Sequence, residues 1–190
     1  NPVASRVTVL LALALPGVAW GSGIPTAAPL EEIVVTASRI GLIGESRAAS
    51  EGIVLAIQRE GRPVLRPGEV LEVVPGLVVT QHSGDGKANQ YFLRGFNLDH
   101  GTDFASYVDG VPVNMPTHGH GQGYADINFL VHELVDTVHY RKGPYFAEEG
   151  NFAAAGAARI SYVRDSGAPA LGLTVGEDNY YRLFASASPE

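Results

Sequence analysis

Two histidines separated by a glycine, His118 and His120, lie in the run Met115-Pro116-Thr117-His118-Gly119-His120-Gly121-Gln122-Gly123-Tyr124, with His100 and Asp103 a short way upstream. Imidazole with carboxylate suits zinc or nickel, and imidazole with the Met115 thioether suits copper. His118, His120, His100, Asp103 and Met115 are therefore the candidate metal ligands. Two histidines alone do not close a zinc site, which takes three or four ligands, so a solvated glycine-rich loop is the competing reading. Gly119, Gly121 and Gly123 imply sharp bends or close packing of the backbone. Catalysis finds little support. The chain has no His-Glu-x-x-His helix, no Gly-x-Ser-x-Gly turn and no phosphate loop. Asp136 and His139 stand three apart on an expected strand, which points them to opposite faces, so they make no dyad.

The chain around this loop has 190 residues, 45% of them apolar, enough to build a core. Only 17% are charged, while 23 Gly and 12 Pro mark a chain of turns and short elements rather than long solvated helices. A net charge of -7, from 13 basic and 20 acidic side chains with no basic run, argues against nucleic acid as a partner. The absence of cysteine excludes a disulfide framework, a thiolate zinc site and a thiol nucleophile. At the N-terminus, Arg6 precedes the apolar run Val7 to Leu15 and the small-residue segment Pro16 to Gly21. That is a secretory signal pattern over 1–21, with cleavage after Ala19 or Gly21. The run is shorter than the roughly 20 residues of a transmembrane helix, and a buried helix is its alternative reading.

Several elements must position the loop. Residues 22–44 read as a spacer ending in the β-branched segment Glu32-Ile33-Val34-Val35-Thr36-Ala37, a short extended strand. Glu51 to Ile57 is the ordered piece of the next stretch. Pro67 opens a short helix carrying Val70, Leu71, Val73 and Val74, which Pro75-Gly76 terminates. Strands follow at Leu77–Gln81 and Asn89–Arg94, with a loop at His82–Ala88 between them. Asp109-Gly110 predicts a type I′ hairpin turn between Phe104–Val108 and Val111–Val113. Leu130–Val135 holds at most a short helix, and strands are expected at Thr137–Arg141 and Ala157–Val163. Strands and short helices mix without alternation, which suggests an α+β fold with a small mixed sheet. At the C-terminus, Leu171, Leu173 and Val175 alternate with polar neighbours, as do Tyr181, Leu183 and Ala185 across the turn at 176–179, the pattern of a barrel hairpin.

Val74-Pro75-Gly76-Leu77, Leu93-Arg94-Gly95-Phe96, Val108-Asp109-Gly110-Val111-Pro112 and Lys142-Gly143-Pro144, in this order and spacing, resemble the plug of a TonB-dependent outer-membrane receptor. The resemblance runs from about Glu31 to Asp165. It implies a plug domain over 45–165, a TonB-box-like segment within 22–44, and the first strands of an incomplete transmembrane β-barrel over 166–190. It also implies that Glu32, Ile33, Val34, Val35, Thr36 and Ala37 are the box taken by a TonB-type inner-membrane energy-coupling protein. Arg94 and Gly95 would lie on the plug sheet facing the barrel interior, and Asp109, Gly110, Gly143 and Pro144 would turn the chain. The expected activity is energy-coupled uptake of a siderophore, metal chelate, haem or cobalamin across the outer membrane of a Gram-negative type cell, with the plug facing the periplasm. No resident cofactor and no enzymatic step are expected, and a bound metal ion or chelate would be transported substrate. A secreted periplasmic plug-like domain that binds metal or another ligand without transport is the alternative. The short spacer leaves no room for an upstream signalling domain, which would need about 50 residues. Two stretches depart from the family pattern: Tyr145 to Gly156, and the histidine loop at 115–124, which looks like an insertion.

Overall fold

Apolar residues at every second position set the strands of this chain, and glycines in pairs with a polar residue set its turns. The computed structural model describes residues 45–56, 62–81, 87–165 and 167–188. The signal-like N-terminus, the Glu32–Ala37 segment and most of the 82–88 loop lie outside them. Two units are distinguished, 37–167 and a second containing the C-terminal residues from 168 onward.

In the first unit the strands are β1 (Glu45–Ala48), β2 (Glu51–Leu55), β3 (Leu77–Thr80), β4 (Gln90–Leu93), β5 (Phe96–Asn97), β6 (Phe104–Val108), β7 (Val111–Pro112), β8 (Val135–Lys142) and β9 (Gly156–Tyr162). Six of them form one sheet in the order β1-β2-β8-β9-β6-β7, and β3-β4-β5 form another. The larger sheet is mixed: β9 runs antiparallel to β8 and parallel to β6. This is the α+β architecture expected, with 3₁₀ turns at Pro67–Val73, His132–Leu134 and Ala147–Glu149 serving as its short helical pieces. Val135, expected within a helical stretch, instead opens β8.

Both sheets contribute to one core. Val54, Val138, Tyr140, Ala158, Ile160 and Phe104 come from the larger sheet, and Leu77, Val79, Tyr91 and Leu93 from the smaller. Val70, Leu71, Val73 and Val74 of the first 3₁₀ turn fill the same cluster. That turn starts where it does because Pro67 needs no amide partner. The Glu69 carboxylate accepts the backbone N–H groups of Leu65 at 2.7 Å and Arg66 at 3.3 Å, satisfying donors that a helix start leaves open.

Two of the two-residue turns between neighbouring strands have both central residues at positive φ. Asp109 and Gly110 lie at φ 47 and 82 between the paired Val108 and Val111, as a type I′ turn requires. Arg94 and Gly95 repeat this at φ 52 and 85 between the paired Leu93 and Phe96. The strand at 89–94 was expected to stop at Gly95; it turns back there as a second hairpin. Gly156 is constrained differently, because a Cβ there would run into the Arg141 carbonyl oxygen of β8.

The C-terminal unit contains the antiparallel hairpin β10 (Ala170–Val175) and β11 (Tyr181–Ser186). Leu171 pairs with Ala185, Leu173 with Leu183 and Val175 with Tyr181, so these six share one face. Leu171 and Leu183 are 78% and 71% exposed, an apolar face turned outward.

Gly110 and Gly156 should respond differently to alanine. Gly110→Ala meets open space and carries only the backbone cost of positive φ, about 1 kcal/mol. Gly156→Ala must move β8 and is expected to cost about 1–3 kcal/mol. Urea unfolding followed by circular dichroism ranks the pair, and equal midpoints would contradict the clash.

Candidate functional site

The histidine loop is held to the end of β5 and the start of β6 by local hydrogen bonds that each sequence segment supplies for itself. Asn97 accepts the Asp99 N–H on its side-chain oxygen at 2.8 Å, a turn that asparagine favours. Asp99 takes φ 48, and the N–H groups of Gly101 and Thr102 both reach back to the Leu98 carbonyl. Leu98 is buried in the core, so this turn is anchored by packing as well.

On the other side, Met115 and Tyr124 form an isolated antiparallel bridge that closes the loop at its neck. The Met115 N–H donates to Tyr124 O at 2.9 Å, and the Gly123 N–H donates to Met115 O at 2.8 Å. The neck is tied down by Asn114. Its side-chain oxygen accepts the Ser106 N–H at 2.7 Å, and its Nδ2 lies 2.9–3.1 Å from the carbonyls of Gly101, Phe104 and Gly123. One buried carboxamide thus gathers backbone groups from three segments around a single side chain. The Tyr124 hydroxyl adds another tie by accepting the Ala88 N–H at 2.7 Å.

His100 and His120 come together against this frame. The His100 ring is buried, with Nδ1 2.8 Å from Ala88 O and 3.2 Å from Asn89 O. Carbonyl oxygens only accept, so Nδ1 carries the proton and Nε2 holds the lone pair of the neutral ring. His100 Nε2 lies 3.6 Å from Asp99 Oδ1, and His120 Nε2 lies 3.9 Å from the same oxygen. One ligand atom from each of Asp99, His100 and His120 falls within 4.8 Å of the other two. The His120 ring meets His100 edge-on at 4.3 Å, while His118 stacks on Tyr124 at 3.9 Å.

The five residues singled out as metal ligands are therefore not gathered as a set. His100 and His120 converge. His118 is committed otherwise, because its Nδ1 accepts the His120 N–H at 3.1 Å. Asp103 is exposed and outside the trio, its carbonyl accepting the Ala155 N–H. The Met115 side chain lines an apolar surface depression with Val108, Val111, Pro112, Val113 and Phe129. Asp99, which the sequence reading passed over, supplies the carboxylate. Its adjacency to His100 was the available signal, but only the left-handed backbone at Asp99 turns both side chains to one point.

A second polar cluster secures the Tyr145–Gly156 segment, one of the two departures from the family pattern. Glu149 is buried, and its carboxylate accepts from Arg141 Nη1 at 2.8 Å and Arg159 Nη2 at 2.6 Å. Arg141 also bonds Glu148 at 2.6 Å and covers the Phe146 ring, while Arg159 covers Tyr107. The Tyr107 hydroxyl donates to Glu149 O at 2.7 Å. This clamp pins the segment across β8, β9 and β6. Next to it, β8 ends at Lys142, and Gly143 turns the chain at φ 87 before Pro144. Lys142 is itself buried, and that burial, followed by the charge of Arg94, pushes its ammonium below the usual lysine range.

Residues 48–157 match the family model of the TonB-dependent Receptor Plug Domain, and the chain belongs to that family. Among solved structures, the copper transporter OprC is similar at 19% identity and a TM-score of 0.53, over 75% of this chain and 21% of that one. A double mutant of the ferric enterobactin receptor PfeA from Pseudomonas aeruginosa is similar at 24% identity and a TM-score of 0.50, over 65% of this chain and 18% of that one. The siderophore receptor PirA from Acinetobacter baumannii matches at 22% identity and a TM-score of 0.49, over 66% of this chain and 19% of that one. The chain thus spans about a fifth of the length of the receptors it matches.

Asn114→Asp should keep the acceptor for Ser106 but turn a carboxylate oxygen on three carbonyls, at a cost of about 3 kcal/mol. Urea unfolding measures that loss, with proteolysis at 115–124 reporting the freed loop. His139 gives a pH signature. Its pKa is pushed below the ordinary value by burial and then by Arg141. The unfolded chain therefore takes up the proton first, and stability falls as pH drops through about 6.5 and below. His139→Gln is expected to flatten that part of a stability-against-pH curve.

Proposed function

We propose that this chain is the plug of an energy-coupled outer-membrane transporter, closing the lumen of a β-barrel until a TonB-type partner in the inner membrane pulls on it. The observation that carries this is the family match over residues 48–157, which runs from the end of β1 to the start of β9 and includes both type I′ turns. A barrel of about 22 strands has a lumen too wide to select anything unless it is filled, which is the physical reason for a plug. The hairpin at 170–186 supports the same reading. Its outward face of Leu171, Leu173, Val175, Tyr181, Leu183 and Ala185 suits lipid, with Thr174 and Arg182 on the other side. That exposed apolar face weighs against a secreted binding domain without a barrel.

Opening needs work, because the outer membrane holds no ion gradient of its own. The box at Glu32–Ala37 would receive it by β-strand addition, in which backbone hydrogen bonds carry the affinity. Force entering ahead of Glu45 loads β1 first, and among the described residues β1 is an edge strand paired with β2. Deeper strands such as β8 and β9, each paired on both sides, hold while the edge yields. The reading involves no covalent chemistry. The copper transporter OprC and the ferric enterobactin receptor PfeA are described for copper and for ferric enterobactin, so a metal or metal chelate is the cargo class we assign.

Retention of this chain on the immobilised periplasmic domain of a TonB-type protein tests the coupling. Val34→Pro removes a backbone donor from the middle of the box and should reduce retention to background. Equal retention of the variant, or none of the parent chain, would refute the assignment.

A further inference from the structure

We propose that Asp99, His100 and His120 form a three-ligand site for a divalent cation of the zinc class, on the loop face of the plug. The inference deepens the uptake reading, and rests on it only in treating that cation as cargo.

Three features of the geometry converge on it. The first is distance. Ligand atoms held tetrahedrally at about 2.0–2.1 Å from zinc lie about 3.4 Å apart. The two imidazole nitrogens stand 3.6 and 3.9 Å from Asp99 Oδ1, so a contraction well under 1 Å on each of these two legs brings them to that spacing from the carboxylate, and all three ligand atoms already lie within 4.8 Å of one another. The second is the tautomer. Backbone carbonyls at Ala88 and Asn89 fix the proton of His100 on Nδ1, leaving Nε2 as the donor atom aimed at the carboxylate. A carbonyl behind the ligating imidazole is the usual support of a metal-bound histidine, since it sets both the tautomer and the ring orientation. A carboxylate oxygen and His100 Nε2 at this distance call for a positive charge between them, which a bound cation or a proton on the ring supplies.

The third feature is the division of rigidity. His100 is buried and Asp99 sits on a turn fixed by Asn97, so two ligands are preset. His120 is 41% exposed between Gly119 and Gly121 and can complete or vacate the site without disturbing the core. Three protein ligands with a fourth position open suit an ion that is captured and passed on rather than one built into the fold.

The neighbouring groups set the ion's class. Met115 lines the apolar depression with Phe129 and Val111, and the trio itself contains no soft ligand of the kind that favours copper(I). His118 accepts on Nδ1, which leaves its neutral ring with a proton on Nε2, a donor rather than a ligand. Two imidazoles and one carboxylate then match zinc or nickel and not magnesium or calcium, which take oxygen ligands.

Calorimetric titration of the purified chain with zinc chloride tests the site. About one equivalent should bind, and millimolar magnesium should leave the isotherm unchanged. Asp99→Asn and His120→Ala alter exposed side chains, and each should weaken zinc binding at least ~10-fold while the circular dichroism spectrum stays that of the parent. His118→Ala should bind as the parent does. Absence of binding by the parent chain, unchanged affinity in both site variants, or an equal loss in His118→Ala would each overturn the proposal. Retention on the TonB-type domain depends on the Glu32–Ala37 box and not on these side chains, so the two readings fail separately.

Discussion

The buried carboxamide of Asn114 is the constraint on which the loop face of this plug depends. A loop of ten residues rich in glycine has little of its own to order it, and each ordered residue costs about 1–2 kcal/mol of backbone entropy. Asn114 offsets this by gathering the backbone at Gly101, Phe104, Ser106 and Gly123 around one side chain. Those contacts set where the neck of the loop begins. With the neck fixed, the Ala125 N–H reaches His100 O and the Tyr124 ring becomes a floor for His118. The meeting of His120 with His100 follows from that placement.

The charge clamp around Glu149 does comparable work on the other side of the sheet. A buried carboxylate is costly unless its partners are in place, and here two guanidinium groups supply them from adjacent strands. Such a pairing is specific rather than strongly stabilising, because the arginines give up hydration to make it. Its value to a plug is positional. It fixes the segment between β8 and β9 against the sheet, and Arg141 extends the network to Glu51 of β2 at 3.8 Å.

The turns were the most legible part of the sequence. Asp109-Gly110 declared a type I′ hairpin because few other dipeptides tolerate positive φ twice in succession. Arg94-Gly95 forms the same turn and was not legible, since arginine carries no such preference and the pairing of Leu93 with Phe96 had to impose it. The short helix after Pro67 and the alternation in the terminal hairpin could be read from local pattern, which is where propensity and burial agree. The mixed pairing of β9, parallel to β6 and antiparallel to β8, could not, because strand neighbours are chosen by long-range packing.

The sequence by itself determined the family, through short motifs in a fixed order, and it determined that histidines would crowd one loop. Which of them meet was decided by the tertiary structure. His118 and His120 are equivalent on paper, yet one stacks on Tyr124 and the other reaches His100 and Asp99. Met115 and Asp103 are near in sequence and stand apart from that point. The physical reason is that proximity along a chain fixes only reach, whereas direction is fixed by backbone dihedrals and by buried hydrogen bonds that must all be satisfied together. Asp99 at positive φ and Asn114 in the core supply that direction here, and neither announces its role in the order of residues.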